Sequence, residues 1–225
     1  YRSSRGLGDV YKRQAVKHCA AGKFRNAGQV CISPTRFFIE EPVYDEFIKS
    51  FKSHVEAINV GDGLDSKSTM GPLVADRRLE VMEDFISDAI SSGGEVISGG
   101  GRGQSPGSFF EPTLIRDVPD TAKIMIEEPF GPVAPSASFS SIDEIIERAN
   151  SLPFGLASYA FTSNPRTSQI LKSEIESGML AINSMHIHSV ETPFGGLKHS
   201  GYGYEGSIEG LEAFLVTKYS SEIYT

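Results

Sequence analysis

Segments with one apolar helical face alternate with short apolar segments of strand character along most of this sequence. Such alternation is typical of strands that lie side by side, mostly parallel, with helices packed on the sheet. The sequence therefore predicts an α/β fold, an open and mostly parallel twisted sheet flanked by helices. Predicted helices span residues 15–24, 42–55, 77–90, 142–150 and 166–173, and predicted strands span residues 35–40, 157–161, 179–182 and 211–219.

The two ends of the chain differ from the region between them. Residues 1–14 carry four basic side chains against one acid and show no sustained helical or strand period. They resemble translated adapter segments at the ends of fragmentary sequences, so we set them apart as a non-native leader, with a genuine basic arm as the alternative. One domain is expected over residues 15–207 and a C-terminal strand arm over residues 208–225.

Charge and composition exclude several kinds of partner. The formal net charge of −8 argues against a nucleic-acid partner, because phosphate binding requires clustered basic side chains. The sequence has no run of about 18 apolar residues, so no membrane span is predicted, and no apolar core of a signal peptide is found. Cys19 and Cys31 form no disulfide framework, which indicates a reducing, cytoplasmic compartment.

The segment FRNAGQVC, residues 24–31, is the sharpest local feature. A cysteine just after a helix-ending Gly-Gln turn can expose its thiol beside backbone N–H groups, which stabilise a thiolate and an oxyanion. Cys31 is therefore a candidate nucleophile, whereas Cys19, in the middle of a predicted helix, is assigned to packing. A lone cysteine is more often a small core residue, so the pattern by itself leaves both readings of Cys31 open.

Three ordered blocks carry a resemblance to a known family. The first is F-x-N-x-G-Q-x-C with Arg36 five residues later, the second is EEPFGPV at residues 127–133, and the third comprises Asn183 and PFGG at residues 193–196. Their order and spacing resemble the C-terminal catalytic half of the aldehyde dehydrogenase superfamily, from about Ala15 to the end. The resemblance implies that catalytic function lies in residues 15–207.

The resemblance implies a covalent mechanism with NAD or NADP as cofactor. Cys31 matches the nucleophile that adds to the aldehyde carbon, and its own backbone N–H matches one oxyanion donor. Glu128 matches the carboxylate that hydrogen-bonds the nicotinamide ribose, and Phe130 matches the ring beside the nicotinamide. Without the motif, Glu128 reads as a solvated acid and Phe130 as a core residue. Pro129 replaces the more usual aliphatic residue between them.

The residue at position 25, Arg25, indicates a class of substrate. An arginine after the Phe resembles the succinate-semialdehyde dehydrogenase branch, where it contacts the substrate carboxylate through paired donors. The alternative is an ordinary surface arginine. His188 and Phe194 match positions that line the aldehyde tunnel, although His188 stands where that branch often has Ser. The resemblance thus implies oxidation of a carboxylated semialdehyde, such as succinate semialdehyde, to the acid.

The resemblance also implies that part of the parent enzyme is absent. The dinucleotide-binding domain, an oxyanion-hole Asn and the general-base Glu belong to the family's N-terminal half, so the isolated chain is predicted to be inactive. The arm at residues 208–225 implies a homo-oligomer in the full-length parent. A thiol hydrolase and a non-catalytic fragment with a structural or binding role remain as alternatives.

Two further patterns are assigned no function. His186 and His188 stand two residues apart and could face one side of an extended segment, but no third ligand accompanies them, so no metal site is predicted. Residues 201–206 satisfy G-x-G-x-x-G, yet a dinucleotide fingerprint must open a βαβ unit, and the chain ends too soon for one. These glycines are expected to shape a loop.

Overall fold

Helices and strands alternate along the chain as predicted. The computed structural model describes residues 14–224, so residues 1–13 of the proposed leader lie outside it, and Gln14 is helical. The helices are α1 (residues 14–24), α2 (Tyr44–Glu56), α3 (Arg77–Ser91), α4 (Lys123–Ile126), α5 (Ile142–Asn150), α6 (Pro165–Glu174) and α7 (Ser207–Glu212). The strands are β1 (Phe37–Glu40), β2 (Glu95–Ser98), β3 (Thr113–Arg116), β4 (Val133–Phe139), β5 (Phe154–Gly155), β6 (Ala157–Ala160), β7 (Met179–Ile182) and β8 (Leu197–Lys198).

The main sheet has the strand order β1-β4-β3-β2. β4 pairs in parallel with both β1 and β3, and β2 joins β3 in an antiparallel pair. A second parallel pair joins β6 to β7, and the short β5 and β8 pair antiparallel. The first five residues of β4 are buried, as expected of a central parallel strand that is covered on both faces. The predicted α/β class, with a mostly parallel sheet flanked by helices, is confirmed.

Aromatic side chains fill the core between the helices and the main sheet. Phe51 of α2 is fully buried, and its ring lies 5.2 Å from that of Phe37, 5.7 Å from that of Phe47 and 6.3 Å from that of Phe24, measured between centroids. The apolar face predicted for α3 is buried in full, namely Leu79, Met82, Phe85, Ile86 and Ala89. None of the described helices is long and apolar enough to cross a membrane.

Several predicted boundaries differ from those observed. β1 begins at Phe37, two residues later than predicted, and α2 begins at Tyr44 after a 3₁₀ turn at Glu41–Val43. Pro42 lies within that turn and has no N–H to donate, which accounts for the late start of the regular helix. α6 includes Pro165 at its first position, next to the capping side chain of Asn164.

The strand predicted at the C-terminal end does not form in this chain. Residues 207–212 form α7, and residues 213–224 pair with no other described segment. A strand requires a neighbour to which its backbone can bond, and none of the described strands pairs with this segment. Its apolar side chains remain exposed, as Phe214 at 88% and Val216 at 95% illustrate.

The aromatic core predicts the effect of truncating its central ring. Phe51→Ala removes the ring that Phe24, Phe37 and Phe47 contact, so we expect the free energy of unfolding in urea to fall by about 3–5 kcal/mol. The matched control Phe214→Ala removes an exposed ring, so its free energy of unfolding should stay within about 0.5 kcal/mol of the parent's. Equal losses in the two variants would contradict this description of the core.

Candidate active site

Cys31 lies exposed in a turn that follows α1. The chain leaves α1 through a 3₁₀ turn at Arg25–Gly28, in which Asn26, Ala27 and Gly28 all have positive φ angles, of 52°, 52° and 71°. Left-handed backbone at a residue with a Cβ costs roughly 1–2 kcal/mol, so this turn needs support from its surroundings. The same bend turns the thiol outward while Ile32 and Ser33 point into the protein.

Gln29 stabilises the turn by hydrogen bonds to Asn26 of the same turn and to a second, distant segment. The Asn26 carbonyl accepts bonds from the Gln29 backbone N–H and from its Nε2, both at 3.1 Å, and Asn26 Nδ2 donates to the Gln29 carbonyl at 3.0 Å. The Gln29 side chain also donates to the Pro72 carbonyl and accepts from the Val74 N–H. The turn is thereby tied to a segment more than 40 residues away.

Gly28 brings the cysteine turn against the EEPFGPV segment. A Cβ at Gly28 would overlap the carbonyl oxygen of Gly131, and a Cβ at Gly131 would overlap the thioether of the buried Met82 on α3. Only glycine permits backbones to approach so closely. Two of the three sequence blocks therefore meet at this contact, and α3 forms the layer beneath them.

Glu128 and Phe130 lie at the surface next to this contact. Phe130 has a positive φ of 42° and a ring that is 39% exposed, while Pro129 between them is buried. Arg78 of α3 holds the bend through a hydrogen bond from its Nη2 to the Pro129 carbonyl. Partial burial raises the pKa of the Glu128 carboxyl, and the positive charges of Lys23 and Arg78 oppose that rise.

Lys23 is a buried cation beneath the site. Its side chain is 1% exposed, and burial lowers its pKa from 10.5 to about 7, although the negative charge of Glu128 opposes the shift. Its carbonyl accepts a hydrogen bond from Ser33 Oγ at 3.1 Å. Lys23 thus connects the end of α1 to the cysteine turn through its backbone and to Glu128 through its charge.

Tyr159 of β6 lies beside both Arg25 and Cys31. Its hydroxyl donates to the Ile32 carbonyl at 2.8 Å. Burial raises the pKa of Tyr159 to about 12, the positive charge of Arg25 opposes the rise, and the negative charge of ionised Cys31 adds to it. The structure therefore brings Arg25, an exposed side chain, to the same side of the protein as the candidate nucleophile.

His188 and Phe194 lie together in the loop before β8. The two rings meet edge to face with centroids 6.2 Å apart, and His188 also stacks on His186 at 5.9 Å. This loop reaches α1, since a Cβ at Gly22 would overlap the methyl group of Met185. Within residues 14–224, no hydrogen bond or ring contact joins His188 or Phe194 to Cys31 or Arg25, and no three His, Cys, Asp or Glu side chains are grouped as metal ligands.

Sequence reasoning missed Lys23 and Tyr159. Lys23 does leave a signal, because it continues the apolar face of α1 seven residues after Val16 and four after Cys19, both of which are buried. A lysine at such a position is expected to be buried and to have a partner. Tyr159 leaves no such signal in the sequence, since its bond to Ile32 spans 127 residues and follows from the tertiary fold alone.

Comparison with known proteins identifies the family. Residues 7–220 match the aldehyde dehydrogenase family. The chain is 43% identical over 205 residues to a probable succinate-semialdehyde dehydrogenase (NADP(+)) of Sinorhizobium fredii, covering 91% of this chain and 42% of the relative. It is 41% identical over 212 residues to a putative 4-(hydroxymethyl)benzenesulfonate dehydrogenase of Comamonas testosteroni, covering 94% and 44%.

Solved structures agree in fold. The succinate-semialdehyde dehydrogenase of Burkholderia pseudomallei superposes with a TM-score of 0.90 at 37% identity, covering 91% of this chain and 42% of that protein. The betaine aldehyde dehydrogenase of Staphylococcus aureus, in complex with NAD+, gives a TM-score of 0.88 at 32% identity, covering 92% and 42%.

This chain belongs to the aldehyde dehydrogenase family, as its motifs predicted. The cofactor of the family is NAD or NADP, in agreement with the prediction. The chain spans less than half the length of the curated relatives that it matches.

The buried Lys23 predicts a specific dependence of stability on pH. Its pKa is about 7 in the folded chain and 10.5 when exposed, so between these values the unfolded state binds more protons and folding stability rises with pH. The slope that one proton adds to the free energy of unfolding approaches about 1.4 kcal/mol per pH unit. We expect Lys23→Met to lose this slope in urea unfolding at pH 7–9.

Lys17→Met is the matched control, because Lys17 is exposed on the same helix. It should keep the slope of the parent. If the parent and Lys23→Met change in parallel across this pH range, the ammonium of Lys23 is not buried as described.

Proposed function

We propose that this chain contributes the nucleophile, the nicotinamide contacts and the substrate-anion contact of an enzyme that oxidises an aldehyde bearing an anionic group to the carboxylic acid. Succinate semialdehyde is the reference substrate. The observation that carries the proposal is the contact between Gly28 and Gly131, which places the exposed Cys31 turn beside Glu128 and Phe130. Family membership supports the same chemistry.

Cys31 is proposed as the nucleophile because it alone of the two cysteines can meet a substrate. Cys19 is buried, and burial raises its pKa to about 12, whereas the Cys31 thiol is exposed in a turn. The thiolate adds to the aldehyde carbon to give a thiohemiacetal oxyanion, and the Cys31 backbone N–H is the proposed donor to that oxygen. After hydride leaves the carbon, water hydrolyses the thioester, which releases the acid and restores the thiolate.

The exposed pair Glu128 and Phe130 fits a nicotinamide nucleotide. A carboxylate accepts hydrogen bonds from ribose hydroxyls, and an exposed aromatic ring offers a flat apolar surface to the nicotinamide. The positive charges of Arg78 and of Lys23, when Lys23 is protonated, favour the ionised, accepting form of Glu128. When bound, the nicotinamide accepts the hydride from the thiohemiacetal carbon. Glu128 and Phe130 are the residues of this chain that would hold the nucleotide.

Arg25 is proposed to bind the anionic group of the substrate. It is exposed, and its charge and that of ionised Cys31 both act on Tyr159. A guanidinium presents paired donors to a carboxylate or a sulfonate. The named relatives support this choice, since succinate semialdehyde carries a carboxylate and 4-(hydroxymethyl)benzenesulfonate carries a sulfonate. His188 and Phe194 are proposed to line the approach to the thiol, with His188 as the point of difference between substrates.

Two structural assignments accompany this function as proposals. Residues 15–207 form the catalytic unit, and residues 208–225 serve as an oligomerisation arm in a homo-oligomeric parent. The exposed apolar side chains of the tail, such as Phe214 and Val216, support the second assignment. Because the relatives are more than twice as long, we propose that catalysis also needs residues from outside this chain, and that the chain by itself is inactive.

Activity is tested with residues 15–225 joined to the N-terminal half of a related aldehyde dehydrogenase, by following NADH or NADPH formation with succinate semialdehyde. We expect Cys31→Ser to abolish turnover, because a hydroxyl is a far weaker nucleophile than a thiolate. Cys19→Ser is the matched control and should retain turnover. Full activity in Cys31→Ser would exclude the proposed mechanism, and nicotinamide-independent ester hydrolysis without oxidation would favour a thiol hydrolase instead.

The substrate assignment is tested with Arg25→Ala in the same protein. Loss of a charged hydrogen-bond pair should lower kcat/KM for succinate semialdehyde by about 10- to 100-fold. The kcat/KM for a neutral aldehyde should stay within about twofold of its value in the unmutated protein. Arg166→Ala, which removes an exposed arginine of α6, should change neither value. Comparison with 4-formylbenzenesulfonate separates a carboxylate from a sulfonate preference. Preference of the unmutated protein for neutral aldehydes would contradict the anionic substrate.

A further inference from the structure

The turn that carries Cys31 is secured on its far side by a single distant side chain. Among the described residues, the only donor to the Ile32 carbonyl is the hydroxyl of Tyr159, at 2.8 Å. Ile32 directly follows Cys31 and is buried, so its carbonyl is largely removed from water. The bond therefore fixes the peptide unit between Ile32 and Ser33, the second one after Cys31.

Tyr159 is well suited to hold this turn because its own position is fixed. It lies in β6, where it is opposite Ala181 of the parallel partner β7. The backbone of Tyr159 is held by its pairing with β7, and its hydroxyl is held by the bond to the Ile32 carbonyl. A side chain that projects from a paired strand transmits the rigidity of the sheet to a turn that has strained backbone.

The phenol is also within electrostatic reach of two exposed side chains. Arg25 and ionised Cys31 both act electrostatically on Tyr159, and together with burial they leave its pKa at about 12. Tyr159 therefore remains a neutral donor throughout the pH range in which an exposed thiol ionises. The hydrogen bond to Ile32 does not switch off as Cys31 becomes reactive.

We propose that Tyr159 is a positioning residue for Cys31: its hydroxyl, by bonding the Ile32 carbonyl, holds the turn in the conformation in which backbone N–H groups stabilise the Cys31 thiolate. This proposal rests on the assignment of Cys31 as nucleophile, but it concerns the ionisation of the thiol and requires neither aldehyde nor nicotinamide. No sequence motif contains Tyr159, and its role follows only from the contact across 127 residues.

The test uses Tyr159→Phe in the 225-residue chain, with iodoacetamide as the probe and mass spectrometry to assign alkylation to Cys31. The thiolate is the reacting form, so the rate against pH reports the ionisation of Cys31. We expect the midpoint of this profile to move upward and the rate at pH 7 to fall by about threefold or more. The limiting rate at high pH, where the thiol is fully ionised, should change by less than about twofold.

Tyr44→Phe is the matched control, since Tyr44 is buried and bonded through its hydroxyl to Ser136 and Asp117, and lies on α2. It should lower stability in urea unfolding and leave the alkylation profile unchanged. Superimposable profiles for the parent and Tyr159→Phe would overturn the proposal. So would a profile shift of the same size in Tyr44→Phe, because the effect would then be one of general stability.

A second measurement in the chimeric enzyme separates positioning from substrate contact. Tyr159→Phe should lower kcat while KM for succinate semialdehyde stays within about twofold. A raised KM with an unchanged kcat and an unchanged alkylation profile would make Tyr159 a substrate ligand and overturn the proposal. If the chimera oxidises no aldehyde at all, the proposed function fails, yet the alkylation experiment still decides the role of Tyr159.

Discussion

The site depends on the close approach of two backbones at Gly28 and Gly131. Neither position has room for a Cβ, because the Gly131 carbonyl and the Met82 thioether occupy the space. This approach places a turn from the start of the chain on a segment about 100 residues later. It also connects both to the core, since Met82 lies on the buried face of α3. The cysteine turn and the EEPFGPV segment are therefore held against each other for a steric reason.

Electrostatics at the site follows from the same packing. The layers that bring Gly28 to Gly131 also bury Lys23, whose charged form is disfavoured by the loss of water around it. Glu128 is the acid that offsets this cost from the surface side, and its own pKa is raised by partial burial. A buried cation next to a half-exposed acid is a poor arrangement for stability. It is consistent with the ribose contact proposed for Glu128.

Local signals explain what could be predicted from the sequence. α5 has the predicted bounds because the Ser141 hydroxyl caps it by accepting from the Glu144 N–H, and α3 buries its predicted face because its apolar residues recur with helical period. No element was predicted between residues 95 and 139, which contain β2, β3 and β4, and the central strand β4 pairs with β1 about 100 residues earlier in the chain. The strand predicted at residues 211–219 was wrong, because residues 213–224 pair with no other described segment. The site residues came from family motifs and not from periodicity.

The two cysteines show that the fold, and not the sequence motif alone, sets the surroundings of a thiol. They stand twelve residues apart, yet one is a buried thiol with a pKa of about 12 and the other is exposed on a strained turn. Three hydrogen bonds hold that turn, the first two to distant segments: Gln29 to Pro72, Tyr159 of β6 to Ile32, and Ser33 to the end of α1. Left-handed backbone at two residues with side chains persists only under such support. The conformation of the turn that carries Cys31 is thus tied to the position of β6, more than a hundred residues further along the chain, and is not set by the motif alone.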